Sequence, residues 1–134
     1  MNKQFIISVI VVFIATMAVG FVVHGLLLGQ EYAALPNLYR SEEDSQNYFH
    51  YMLIAHLLMS IGLTWVYRMG RQDTPWLGQG IRFGLAIIVL MTIPMYVIYY
   101  AVQPIPHDLA HKQIIFDSIG MLIIGPLIAL LNRT

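Results

Sequence analysis

Three ionisable side chains lie in otherwise apolar stretches of the sequence: His24, His56 and Asp117. At the centre of a membrane-spanning helix an ionised aspartate costs about 2.5–3.5 kcal/mol, so Asp117 must be protonated, paired or in contact with water. Both histidines lie at depths comparable to that of Asp117, and Tyr96 could cover all three. The sequence therefore predicts a polar pocket that binds a small ligand, a metal ion or a proton.

Two alternatives use the same residues. An interhelical hydrogen bond, such as one between His56 and Asp117, would fix helix register and contribute about 0.6–2 kcal/mol. A haem could instead take His24 and His56 as axial ligands, because histidines on different helices of a four-helix bundle can hold its iron. The sequence leaves these alternatives open.

A second histidine pair, His107 and His111, has the i,i+4 spacing that places both rings on one helix face. Two such rings can bind a transition metal if a third ligand approaches, and His50 is a candidate. The alternative is a polar first turn of a helix, in which Asp108 and Lys112 form an ion pair. Beyond these metal and haem hypotheses, no cofactor is indicated.

Motifs for other chemistry are missing from the sequence. There is no Walker A loop, no His-Glu-x-x-His and no Gly-x-Ser-x-Gly, so no catalytic residue is assigned. The formal net charge is zero and there is no basic patch, which argues against a nucleic-acid partner. Because the chain has no cysteine, disulfides and thiolate sites are excluded.

The elements that carry these residues are long apolar runs. Hydrophobic residues make up 58% of the chain and charged residues 10%, against about 45–50% and about 25% in soluble domains. A span needs about 20 mostly apolar residues, and its backbone must be hydrogen-bonded internally. We therefore predict an all-α, integral membrane four-helix bundle that forms a single domain (1–134), with helices at residues 5–28, 48–67, 81–102 and 109–131.

Flanking charges predict the orientation of this bundle. With the N-terminus inside, five lysines and arginines lie on the inner side and two on the outer side, so both termini are predicted to be cytoplasmic. The first apolar run continues to Leu28, which is too long for a signal peptide and indicates an uncleaved first span. The inner set is Lys3, Arg68, Arg71, Arg82 and Arg133, and the outer set is Arg40 and Lys112.

Local signals predict helix ends and helix contacts. Ser41-Glu-Glu-Asp44 resembles a capping box and predicts that helix 2 starts before the membrane. Pro94 predicts a kink in the third span. Small residues predict close approach of helices, either within one bundle or between copies in a homo-oligomer. They are the Gly-x-x-x-Gly pair Gly80 and Gly84, together with Gly20, Ser60 and Gly120.

Two stretches near the ends of the chain carry a family resemblance. They are Gly20-Phe-Val-Val-His-Gly-Leu-Leu-Leu-Gly29 and residues 112–131, in which a polar residue comes early and a glycine late. They are similar to the first and last spans of a family of small bacterial four-span membrane proteins of unknown function. The resemblance implies a multi-pass protein of the bacterial inner membrane and carries over no activity.

The predicted function is that of a non-catalytic membrane protein that acts through helix–helix association. It would be an accessory or assembly subunit, or a homo-oligomer, with the lipid bilayer and another membrane protein or a second copy as partners. The alternative is binding of a small ligand, metal or proton in the pocket of His24, His56 and Asp117. A haem-binding or enzymatic membrane protein is a further alternative.

Overall fold

The computed structural model describes residues 2–133, and within them all regular secondary structure is helical. The helices are α1 (Lys3–Leu27), α2 (Gly29–Ala33), α3 (Glu42–Gln46), α4 (Phe49–Gly70), α5 (Trp76–Val102) and α6 (His107–Leu131). Four of them, α1, α4, α5 and α6, are long and apolar enough to cross a membrane, which confirms the prediction of four helices of this kind. We call the end of the bundle where α1 begins and α6 ends the terminal end, and the opposite end the distal end.

The central helix of the bundle is α6. It packs against α1 on one side and α5 on the other, while α4 packs mainly on α1. Near the terminal end α4 meets α5 through Tyr67 and Phe83, whose ring centroids are 5.4 Å apart. In the distal half of α4 (residues 49–59) only His56 is not exposed. The distal part of α4 is therefore covered far less than its terminal part.

Glycines allow α5 and α6 to touch along their backbones. A Cβ atom on Gly80 would lie 2.5 Å from Cα of Pro126, and one on Gly84 would lie 2.7 Å from the carbonyl oxygen of Met121. On α6, a Cβ at Gly125 would collide with the carbonyl oxygen of Gly80. The Gly-x-x-x-Gly pair thus forms a contact within this chain.

Two spans contain a π-helical segment, at Phe21–Leu27 in α1 and at Ile88–Thr92 in α5. The second segment precedes Pro94, which lacks an N–H and whose ring would clash with the carbonyl four residues earlier in a regular helix. The predicted disturbance at Pro94 therefore takes the form of a wider helical turn. Such segments often occur at functional sites. Here one contains His24 and the other lies one turn before Tyr96.

The capping box is present, although it caps a separate helix. The hydroxyl of Ser41 accepts a hydrogen bond from the backbone N–H of Asp44 at 3.1 Å and begins α3. The prediction that this motif starts helix 2 was wrong, since α4 begins only at Phe49. The third span begins at Trp76, before the predicted residue 81, because its polar first turns also pack on α6.

Candidate functional site

The centre of the site is the carboxylate of Asp117 on α6. Nε2 of His24 on α1 lies 3.1 Å from its Oδ1 and 3.3 Å from its Oδ2. The hydroxyl of Tyr96 on α5 donates to Oδ2. One carboxylate therefore joins three of the candidate transmembrane helices through hydrogen bonds to two side chains.

The other nitrogen of His24 extends the network to the first loop. Nδ1 of His24 lies 2.6 Å from the hydroxyl of Tyr32 on α2, and the two rings stack with centroids 5.9 Å apart. The side-chain amide of Gln113 on α6 donates to the same hydroxyl at 3.3 Å. The network thus runs without interruption from Gln113 through Tyr32 and His24 to Asp117.

More than one arrangement of protons is compatible with the bonds in this network, and we assign the one in which Tyr32 donates to His24. Gln113 donates to the Tyr32 oxygen, Tyr32 donates to Nδ1 of His24, and Nε2–H of His24 donates to Asp117. Tyr96 supplies the second donor to the carboxylate. In this arrangement His24 is neutral and Asp117 is ionised.

The hydroxyl of Tyr32 keeps its proton in these surroundings. Burial raises the pKa of its hydroxyl from 10.0 to about 12, so Tyr32 is protonated at neutral pH. At pH 11 the folded wild type and a Tyr32→Phe variant should therefore have nearly equal tyrosinate absorbance. After unfolding at the same pH, the wild type should show one tyrosinate more than the variant. A difference already present in the folded proteins would show that Tyr32 is not buried.

A salt bridge holds α2 over the site. Nζ of Lys112 lies 2.5 Å from Oε1 of Glu31. The consecutive pairs Glu31–Lys112 and Tyr32–Gln113 fasten the first loop to the start of α6. The predicted ion pair between Asp108 and Lys112 was wrong, since Lys112 bonds across the bundle instead. The opposite charges of Glu31 and Lys112 were the signal in the sequence that could have placed Tyr32 near α6.

His56 lies beside the network without joining it. Its Cε1 atom would be 3.4 Å from a Cβ on Gly20, so the ring packs against α1 one turn away from His24. Among the described residues its Nδ1 is buried without a partner, and no hydrogen bond joins His56 to Asp117. The interhelical bond to Asp117 comes from His24, because α4 packs on α1 rather than on α6 at this depth.

The metal and haem hypotheses find little support in this geometry. Both ring nitrogens of His24 are hydrogen-bonded, so axial ligation of a haem would require breaking one of those bonds. The ring centroids of His107 and His111 are 4.3 Å apart, while the His50 ring packs against Tyr51 in a tilted arrangement. Between residues 2 and 133 no three histidine, aspartate or glutamate side chains are grouped as a metal site.

The site is not sealed by the chain itself. The side chains of His24 and Asp117 are 36% and 24% exposed. A polar pair facing hydrocarbon is costly, so this opening is where water, a polar ligand or a partner helix would lie.

The fold and this site define a helical protein with four candidate transmembrane helices and a polar network inside them. The chain matches, over residues 7–129, the family described as Protein of unknown function (DUF1761), and it belongs to that family. The prediction of a family of unknown function is thereby confirmed. No curated protein and no solved structure matches the chain.

Proposed function

We propose that this protein is a proton-binding membrane protein in which His24 and Asp117 hold the exchangeable proton. The observation that carries the proposal is the contact of two ionisable side chains inside the spans, with Nε2 of His24 at 3.1 Å from Oδ1 of Asp117. Ionisable residues within a membrane mark proton relays and ion paths. The partial exposure of both side chains gives the proton a route to the pair.

Proton uptake would reverse one bond of the network. When Nδ1 of His24 binds a proton, it can no longer accept from Tyr32 and instead donates to the Tyr32 oxygen. The proton of Tyr32 then needs a new acceptor, while His24 and Asp117 become an ion pair. Since Tyr32 belongs to α2, the first loop would respond to the charge of the pair. Other titratable groups nearby are His56 on α4 and the Glu31–Lys112 pair.

Nitrogen-15 NMR of labelled histidines in bilayers, recorded over a series of pH values, tests this proposal. We expect the His24 signal, identified by its loss in His24→Gln, to change from the neutral Nε2–H form to imidazolium. Asp117→Asn should shift the pH of this change. The matched control is His111→Gln, which removes an exposed histidine at the same end of the bundle. This variant should leave the pH response of the His24 signal unaltered. A His24 ring that keeps one charge and one tautomer throughout would contradict the proposal.

Helix–helix association is a second proposed function, and the uncovered half of α4 favours it. Residues 45–59 are exposed in this chain apart from His56, and they include several aromatic side chains. A second copy that packs there would cover this surface. The Gly80 and Gly84 pair does not serve this purpose, because α6 already occupies it.

Single cysteines can test such an assembly, because the chain has none of its own. Leu53 and Leu57 are exposed and one turn apart on α4. Leu53→Cys and Leu57→Cys should each form disulfide-linked dimers in membranes under mild oxidation. Val89→Cys, on the exposed face of α5, is the control and should remain monomeric. Equal cross-linking at Val89 would indicate random collision and would contradict this proposal.

We also propose that the bundle lies in a bacterial inner membrane with both termini in the cytoplasm. Five of the seven lysines and arginines flank the terminal end, and this bias supports that end as cytoplasmic. The resemblance to small bacterial membrane proteins supports the location.

A further inference from the structure

A cavity lies at the terminal end of the bundle, on the opposite side of the membrane from the His24–Asp117 network. It has a volume of about 220 Å³ and is enclosed by the end of α4, the α4–α5 connection and the end of α6. At ~30 Å³ per water molecule this is room for about seven waters. The cavity can therefore accommodate a small polar group.

The wall of the cavity is fixed by Gln79. Its amide nitrogen donates to the carbonyl oxygens of Gln72 and Thr74, and its Oε1 accepts from the backbone N–H of Gln72, at distances of 2.7–2.8 Å. Nη1 of Arg71 donates to the carbonyl oxygen of Asn132 at 2.9 Å and ties the connection to α6. The cavity is thus formed by hydrogen-bonded elements before any ligand binds.

The charges on the cavity wall favour an anion. Two arginines, Arg71 and Arg133, line it together with one acidic residue, Asp73. An adjoining cavity of about 320 Å³ shares Gln79 and adds Arg82. After its bond to Asn132, Arg71 still has unused N–H donors. Arginine suits phosphate because its planar fork can donate two bonds to the same group.

We propose that this cavity binds a phosphate ester. The phosphate would face Arg71 and Arg133, which line the cavity. Phosphatidylglycerol presents this chemistry as a lipid headgroup, and glycerol phosphate presents it in free form. Trp76, which also lines the cavity, is a residue type enriched at the membrane–water boundary, where a headgroup would lie.

Fluorescence of Trp76 reports on this site. The only other tryptophan, Trp65, is exposed and does not line the cavity, so Trp65→Phe isolates the signal. The protein is placed in phosphatidylcholine nanodiscs at about 150 mM salt, where distant charges are largely screened. Phosphatidylglycerol is then raised stepwise in one series and glycerol phosphate is added in another. A saturable change in Trp76 fluorescence with phosphatidylglycerol identifies the ligand as a lipid. A saturable change with glycerol phosphate alone identifies it as a free ester, and either result supports the site.

Charge-matched variants separate this site from general attraction to the basic surface. Arg133→Gln removes a cation from the cavity and should weaken binding about ten-fold or more, as the loss of a charged hydrogen bond would. Lys3→Gln removes a cation from the same end but outside the cavity, and should change binding less than about two-fold. Arg71→Gln should weaken binding as much as Arg133→Gln does. If Arg71→Gln fails to fold, Arg133→Gln remains informative, because the side chain of Arg133 makes no bond to another described residue. Equal weakening by Lys3→Gln, or no saturable signal with either ligand, would overturn the proposal.

Discussion

The Gly125→Ala variant is expected to unfold far more readily than the wild type, with a loss of about 1–3 kcal/mol or more. Overpacking of a tight contact has this cost when side chains can adjust. At this position the new methyl group would meet only backbone: the carbonyl oxygen of Gly80, and N and Cα of Gly84 at 2.9 and 3.0 Å. Because backbone atoms within a helix cannot move individually, α5 and α6 would have to move apart. Thermal unfolding in a mild detergent, followed by tryptophan fluorescence, measures the change.

The control is Gly62→Ala on α4. A Cβ at Gly62 meets nothing within 4 Å, so this variant should be neutral or more stable by up to about 1 kcal/mol, as alanine favours helix over glycine. Equal stability of the two variants would mean that the α5–α6 backbone contact is absent in the membrane. The comparison also tests whether the Gly-x-x-x-Gly pair is used within one chain or between chains.

The four long helices were predictable from the sequence because a helix that crosses hydrocarbon needs about 20 mostly apolar residues. Their arrangement was not, since hydropathy carries no information on which helix neighbours which. Gly120 illustrates the limit. As a small residue it predicted close approach of another helix, and Cγ1 of Val19 on α1 lies 2.8 Å from a Cβ built on Gly120. The sequence could not show that the neighbouring helix was α1.

For the same reason the sequence could not identify which histidine bonds to Asp117. His24 and His56 have similar depth, and the sequence offered no reason to prefer one of them. A regular α-helical projection cannot predict which way His24 points, because α1 contains a π-helical segment at Phe21–Leu27. The wider turn of such a segment changes the direction of the side chains that follow it. Tyr32 was missed for another reason: it lies outside the spans and reaches the site only through the folding of α2 onto α6.

Replacement of Asp117 by asparagine is expected to cost about 1–3 kcal/mol of stability, the usual penalty for leaving a buried donor without its acceptor. In the wild type His24 and Tyr96 both donate to the carboxylate. An asparagine offers one acceptor oxygen, and its NH₂ group would face one of the two donors. Asp108→Asn is the matched control. Asp108 is exposed on the first turn of α6, so the change should remain within about 0.5 kcal/mol.

A double-mutant cycle with His24→Gln and Asp117→Asn assigns this loss to the pair. Reversible unfolding in mixed micelles of the wild type, both single variants and the double variant supplies the four free energies. We expect a coupling of about 0.6–1.7 kcal/mol, the range for hydrogen bonds between membrane helices. Additivity within about 0.5 kcal/mol would show that His24 and Asp117 are not bonded in the membrane.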